Sequence, residues 1–220
     1  MFKVADNLRD KLIVSMGLTL AWRIGDFARI KRGDLPNLDQ ETPIPFEILS
    51  EKEDVVAKSF LSDEAVELLK EYLPTLPESN LYLFPSNGKG HLDHTTFNRI
   101  VRELAAKAKI KIPKRKRIRF HCFRKRFLSE AANLRIDVNI AKILVGKAVE
   151  PAMLAYLSEI NLKEAFIRIS ERLRLTKTPM RRTKESTTEL EKRVDRLERM
   201  LNIIAAIYPD AVKRADEMHA

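Results

Sequence analysis

Several residues in this chain have side chains able to handle a phosphate diester, and they recur in a fixed order. Arg23 stands in Trp22-Arg23-Ile24-Gly25-Asp26, with a carboxylate three residues on. His121-Cys122-Phe123-Arg124 makes an H-x-x-R box, Lys147 follows Arg124 by 23 residues, and Tyr156 follows Lys147 by nine. Breaking a phosphodiester without a metal needs a nucleophile, a proton for the leaving oxygen and positive groups around the developing charge. Arginines offer forked donors that match phosphate oxygens. A tyrosine is a poor nucleophile while protonated, with a reference pKa near ~10, but its phenolate can form a phosphodiester link that a free hydroxyl later reverses.

A basic block surrounds the H-x-x-R box. From Lys107 to Arg126 the chain carries eleven Lys and Arg and no acidic residue. Lys114, Arg115, Lys116, Arg117 and Arg119 precede the box, and Lys125 and Arg126 follow it. Such a run is relieved by neutralising phosphates and releasing their counterions, which binds DNA strongly without reading its sequence. The formal net charge of +10 points to the same polyanionic partner.

Taken together, these residues resemble the tyrosine recombinase and phage integrase family. Its signature runs from an arginine near the start of the domain through H-x-x-R and L-G-H or L-G-W to a nucleophilic tyrosine. Leu144-Val145-Gly146-Lys147 stands at the L-G-H position. The resemblance covers residues 5 to 160 or so and implies Arg23, Lys52, His121, Arg124, Lys147 and Tyr156 as the catalytic set. Lys52 would protonate the departing 5′ oxygen from a hairpin tip, with Lys58 as the second candidate for that place. His121 would accept the proton of Tyr156 or orient the phosphate, and Lys147 would donate to a non-bridging oxygen. The implied product is a 3′-phosphotyrosyl link and a free 5′-hydroxyl. Departures from the pattern are Leu20-Ala21-Trp22 before Arg23, Lys125 where a histidine is common, and Lys147 itself. The phrase Lys58 to Ala65 is similar to archaeal and viral relatives. Members of the family carry an N-terminal DNA-clamping domain, and a chain without one is expected to bind its site weakly.

The elements that must position these residues follow from periodicity and punctuation. Leu8, Leu12, Ile13 and Met16 predict a helix ended by Gly17, and a second runs from Trp22 to Ile30 before a turn at Gly33-Asp34. Two apolar runs, Ile44 to Ile48 and Val55 to Phe60, flank the polar tip Ser50 to Asp54 and predict an antiparallel hairpin. Ser62-Asp63-Glu64 caps a helix with Val66, Leu69 and Leu73 on its apolar face. Residues 74 to 90 read as a loop with an extended piece at Leu81 to Phe84. Phe97 to Ala108 predicts another helix, and further ones follow at 122–134, 137–145, 151–158 and 161–173. Gly146 stops the second of these, Pro151 begins the third, and Asn161 with Glu164 forms a capping box for the last. The expected class is mainly α with a small antiparallel β-sheet, arranged as the tyrosine recombinase catalytic domain over 1–174. A basic linker over 175–187 then leads to a C-terminal helix, 188–220. There Leu190, Val194, Leu197 and Leu201 show a short coiled-coil spacing, suited either to self-association on double-stranded DNA or to a lone amphipathic helix packing on its own domain.

Other classes find little support. The single cysteine, Cys122, excludes an internal disulfide and is expected to be a buried, inert thiol. No apolar run is long enough for a signal peptide or a membrane span, so an intracellular protein is expected. His91 and His94 read as loop histidines rather than metal ligands, no phosphate-binding G-x-x-x-x-G-K-[ST] is present, and no cofactor is implied. Two rival functions share many of these features. A type IB topoisomerase would relax DNA without exchanging strands, and a recombinase-derived regulatory protein would bind DNA without cutting it.

Overall fold

The computed structural model describes residues 1–50, 52, 54–87, 90–150 and 159–176. The first long helix, α1 (Leu8–Leu20), is the element around which the others gather. Asn7 caps it by accepting the Asp10 N–H at 2.8 Å. From Leu12 to Leu20 every residue is buried, as in a helix covered on all sides rather than one lying on a surface. The stop expected at Gly17 does not occur. Gly17 lies inside α1, where an added Cβ would stand 2.9 Å from the Phe123 ring and 3.0 Å from that of Phe120. The glycine serves close packing, and the helix ends instead at Ala21, in the left-handed region at φ 52°.

The helix expected over 22–30 is shorter, α2 (Ile24–Ala28), with Arg23 as its N-cap residue. The hairpin follows as expected. Strands β1 (Ile44–Ser50) and β2 (Val55–Leu61) pair antiparallel, with Ile44 opposite Leu61 and Ser50 opposite Val55. Phe46 and Ala57 face the core, while Glu47 and Lys58 pair on the outer face at 3.2 Å. Ser62 then caps α3 (Asp63–Tyr72) by accepting the Ala65 N–H. Leu73 falls just beyond this helix, in a 3-10 turn.

Four further helices complete the described part: α4 (His94–Lys107), α5 (His121–Asn133), α6 (Val138–Leu144) and α7 (Glu159–Leu173). Asp93 caps α4 and Asp137 caps α6 through side-chain oxygens. Asn161 lies inside α7, so it is not the cap the sequence suggests. The close of α7 is instead tied to α3: Glu64 accepts the Leu175 and Thr176 N–H groups, and Arg174 pairs with Asp63 at 2.9 Å. α1 packs against α3, α5, β2 and α7. On its other flank an aromatic cluster joins Phe27, Phe84, Phe97, Phe120 and Phe123, with centroids 4.8–5.7 Å apart. Each such ring withdrawn from water contributes roughly 1.5–3 kcal/mol, so this cluster fixes where α2, α4 and α5 meet.

The architecture is therefore the expected one, mainly α with a two-stranded antiparallel sheet. The predicted helix 151–158, the linker, and the coiled-coil positions Leu190, Val194, Leu197 and Leu201 lie outside the described residues. No described helix is long and apolar enough to cross a membrane.

Candidate active site

The first turns of α2, α4 and α5, the end of α6 and the hairpin tip converge on an open cleft of about 700 Å³. Five of the six residues picked as catalytic line it: Arg23, Lys52, His121, Arg124 and Lys147. They come from four separate places in the chain, His121 and Arg124 sharing the first turn of α5, so it is the fold that brings them to one cleft. Tyr156 lies outside the described residues.

The C-terminus of α6 holds both arginines. α6 ends in a Schellman motif, in which the Gly146 N–H bonds to Ile143 O and the Lys147 N–H to Lys142 O, both at 2.9 Å. This closure leaves the Val145 and Gly146 carbonyls pointing away from the helix. Gly146 O accepts from Arg23 Nη1 at 2.8 Å, and Val145 O accepts from Arg124 Nη1. Arg124 Nη1 also donates to Ala21 O, at the close of α1, at 3.0 Å. Arg124 is 4% exposed. Burying a guanidinium is costly unless acceptors replace the lost water, and carbonyls at two helix C-termini carry the right partial charge. Arg23 and Arg124 are thus fixed in plane and angle by backbone that is itself fixed.

Gly146 is what makes the arrangement possible. Its φ is +68°, and a Cβ there would lie 2.7 Å from the Ala57 Cβ on β2. Only glycine satisfies both the left-handed turn and the close approach. Lys147 comes next in the chain and is exposed at the cleft.

Ser50 and Asp26 tie the hairpin to α2. Ser50 Oγ donates to Asp26 Oδ2 at 2.9 Å, with both side chains buried, and Asp26 Oδ1 lies 3.5 Å from Arg29. This bond anchors the last residue of β1, two before Lys52. Lys52 sits in the exposed turn and lines the cleft, whereas Lys58 faces outward on β2 with Glu47.

His121 is the first residue of α5 and is open to solvent on one side. Its pKa lies below the ordinary imidazole value. The largest cause is loss of water to the cleft walls, followed by the charges of Arg124, Lys125, Arg23 and Lys147. The ring is therefore neutral at physiological pH and able to accept a proton.

A profile of the phage integrase family matches residues 1–148. The chain belongs to that family. Among solved structures, the XerA recombinase superposes with a TM-score of 0.51 at 24% identity, over 74% of this chain and 58% of that one. The integrase of mycobacterium phage Brujita gives 0.58 at 18%, over 76% and 53%. The XerH site-specific recombinase, bound to difH substrate before cleavage, gives 0.53 at 19%, over 79% and 48%. At these identities the likeness is one of fold, and this integrase-family chain spans roughly half the length of those proteins. No curated protein sequence matches it.

Of the predicted DNA contacts, Lys114, Arg115, Lys116, Arg117, Arg119, Lys125 and Arg126 are all exposed. Only Arg119 lines the main cleft. Arg117 and Arg119 also border a smaller adjoining cleft with Thr95, Asn98 and Arg102. Arg126 is drawn aside by Glu130 at 2.8 Å. Cys122 is half-buried rather than buried. Sequence reasoning missed Arg29, His94 and Asn98 as cleft residues. His94 is not in a loop: it opens α4, one turn before Asn98. Their spacing of four, which puts both on one strip of α4 flanking the apolar stripe Phe97, Val101 and Leu104, was the available signal. Among the described residues no His, Cys, Asp and Glu cluster is suited to a metal.

Proposed function

We propose that this chain is the catalytic part of a site-specific DNA recombinase that cuts and rejoins strands through Tyr156, with no metal or nucleoside triphosphate. The observation that carries this reading is the convergence of Arg23, Lys52, His121, Arg124 and Lys147 on one cleft. A scissile phosphate held by Arg23 and Arg124 gains forked donors on its non-bridging oxygens, where negative charge grows in the transition state. The Tyr156 oxygen attacks phosphorus, neutral His121 takes the phenol proton, and the bond to the 5′ oxygen breaks. Lys52 supplies the proton that the departing 5′ oxygen needs, and Lys147 donates to a non-bridging oxygen. The product is a 3′-phosphotyrosyl link and a 5′-hydroxyl. Attack by the 5′-hydroxyl of another strand reverses the step and completes the exchange.

DNA binding is supported by the exposed basic run around α5 and by XerH having been solved on its DNA substrate. Self-association on double-stranded DNA through Leu190, Val194, Leu197 and Leu201 belongs to the same proposal. The test is trapping on a nicked suicide duplex, read as a denaturation-resistant protein–DNA band. The band is expected with the native chain and absent with Tyr156→Phe. A band with relaxed plasmid but no exchanged strands would favour the topoisomerase reading. Retained binding with no band would favour a regulatory role.

A further inference from the structure

The start of α5 poses a capping problem that its own sequence does not solve. His121 is the first helical residue, and the residue before it, Phe120, has helical φ and ψ and makes no side-chain cap. Helix starts are normally secured by Ser, Thr, Asp or Asn just upstream. Here residues 114–119 read Lys-Arg-Lys-Arg-Ile-Arg, and none of these side chains can accept a hydrogen bond. The Cys122 and Phe123 N–H groups reach back to Arg119 O and Phe120 O at 2.8 and 3.0 Å. The Phe120 N–H is left to a residue 22 positions away: it donates to Asn98 Oδ1 at 2.9 Å.

Asn98 is itself oriented. Its Nδ2 donates to His94 O at 2.8 Å, one turn back along α4. The amide can therefore face only one way, oxygen toward Phe120 and nitrogen toward His94. From the inside, the Phe120 ring is wedged against Phe27 and Phe97, with centroids 4.8 and 5.7 Å away. Ring and N–H together fix Phe120, and the next residue along is His121. Asn98 and His121 both line the cleft.

We propose that Asn98 is a positioning residue of the active site, which caps the start of α5 from α4 and so holds His121 at the scissile phosphate. The proposal rests on the reading of His121 given above. It deepens that reading by naming what places the imidazole. The charged groups around His121 are Arg124 and Lys125 on its own helix, Arg23 before α2 and Lys147 after α6. A fixed first turn keeps the ring among them.

The experiment uses the full chain with Asn98→Ala and Asn98→Asp, the second of which keeps the acceptor for Phe120. Three quantities are read: single-turnover adduct formation on a suicide duplex at saturating protein, DNA affinity, and the His121 titration by NMR, the chain having only four histidines. Asn98→Ala should slow adduct formation on the order of tenfold to a hundredfold, the effect of misplacing a reacting group by about an ångström. Affinity should stay within about twofold, since the phosphate-neutralising side chains that dominate it are untouched. The His121 midpoint should rise toward the ordinary value as the loosened turn becomes solvated. Asn98→Asp should recover most of the rate at pH values above the histidine titration. An Asn98→Ala chain with native rate and native His121 midpoint overturns the proposal. So does an equal loss in both variants, because the acceptor would then be irrelevant. His121→Ala separates the two readings. If that variant forms adduct at the native rate, the role of His121 falls, while the His121 midpoint in Asn98→Ala still decides whether Asn98 positions the ring.

Discussion

Replacing Gly146 by alanine tests the arrangement at its tightest point. Two independent penalties are expected. At φ +68° a side chain is strained in the left-handed region, which costs about 1–2 kcal/mol. The new Cβ would lie 2.7 Å from the Ala57 Cβ, where carbons normally stand about 3.5–4.0 Å apart. Relieving that overlap means shifting α6 away from β2, at about 1–3 kcal/mol for an overpacked site. The whole effect is about 2–5 kcal/mol, a fall in melting temperature of roughly 5–15 °C for a chain of this size.

The two penalties separate in a double-mutant cycle. With Ala57→Gly as background the overlap disappears and the φ strain stays, so Gly146→Ala should then cost only about 1–2 kcal/mol. Denaturant unfolding of the four proteins gives the coupling directly. Adduct formation adds a functional reading, since a shifted α6 terminus carries the Val145 and Gly146 carbonyls away from Arg124 and Arg23. Equal costs in the two backgrounds would refute the close approach. A cost below about 0.5 kcal/mol in the native background would refute both the strain and the approach.

Four other outcomes follow from the same structure. Ser50→Ala deprives the buried Asp26 carboxylate of a donor and should cost about 1–3 kcal/mol in denaturant unfolding, with slower adduct formation as the hairpin tip bearing Lys52 loosens. Arg124→Lys cannot span the Ala21 and Val145 carbonyls with one ammonium; it should lose about 2–3 kcal/mol of stability and abolish the covalent band. Because the folded pKa of His121 lies below its ordinary value of 6.5, the unfolded chain holds more protons in between; its contribution is full above 6.5 and is lost as pH falls through the folded value, so His121→Gln should flatten the loss of stability across that window. Lys116→Ala with Arg117→Ala should reduce the slope of log affinity against log salt by up to about 2 and leave the melting temperature unchanged, as both side chains are exposed.

The parts legible in the sequence were those written in side-chain type and spacing. Alternation marked β1 and β2, Ser62 marked the start of α3, and Gly146 marked the end of α6, because each is a local rule with a local signature. Misreadings came where a residue answers to a distant neighbour. Gly17 looked like a helix stop, yet it is a gap for the Phe120 and Phe123 rings, which lie more than a hundred residues later. Asn161 looked like a cap and is interior to α7, whose close is secured by Glu64 from α3. His94 looked like a loop histidine, yet it opens α4 directly after its cap, Asp93.

The candidate site shows the same division more sharply. Arg23, His121, Arg124 and Lys147 could be picked as candidates from side-chain type and spacing, because cationic and imidazole groups suit a phosphate. What orients them could not, because the groups responsible are mostly backbone. The carbonyls of Ala21, Val145 and Gly146 exist whatever side chains those residues bear. They become acceptors only because α1 and α6 end where they do and because a missing Cβ lets α6 approach β2. The sequence therefore records this support only indirectly, as a glycine at 146, an alanine at 57 and an arginine able to survive burial. A substitution at any of the three should disturb the arginines as a pair, whereas one in the exposed run 114–117 should leave them in place.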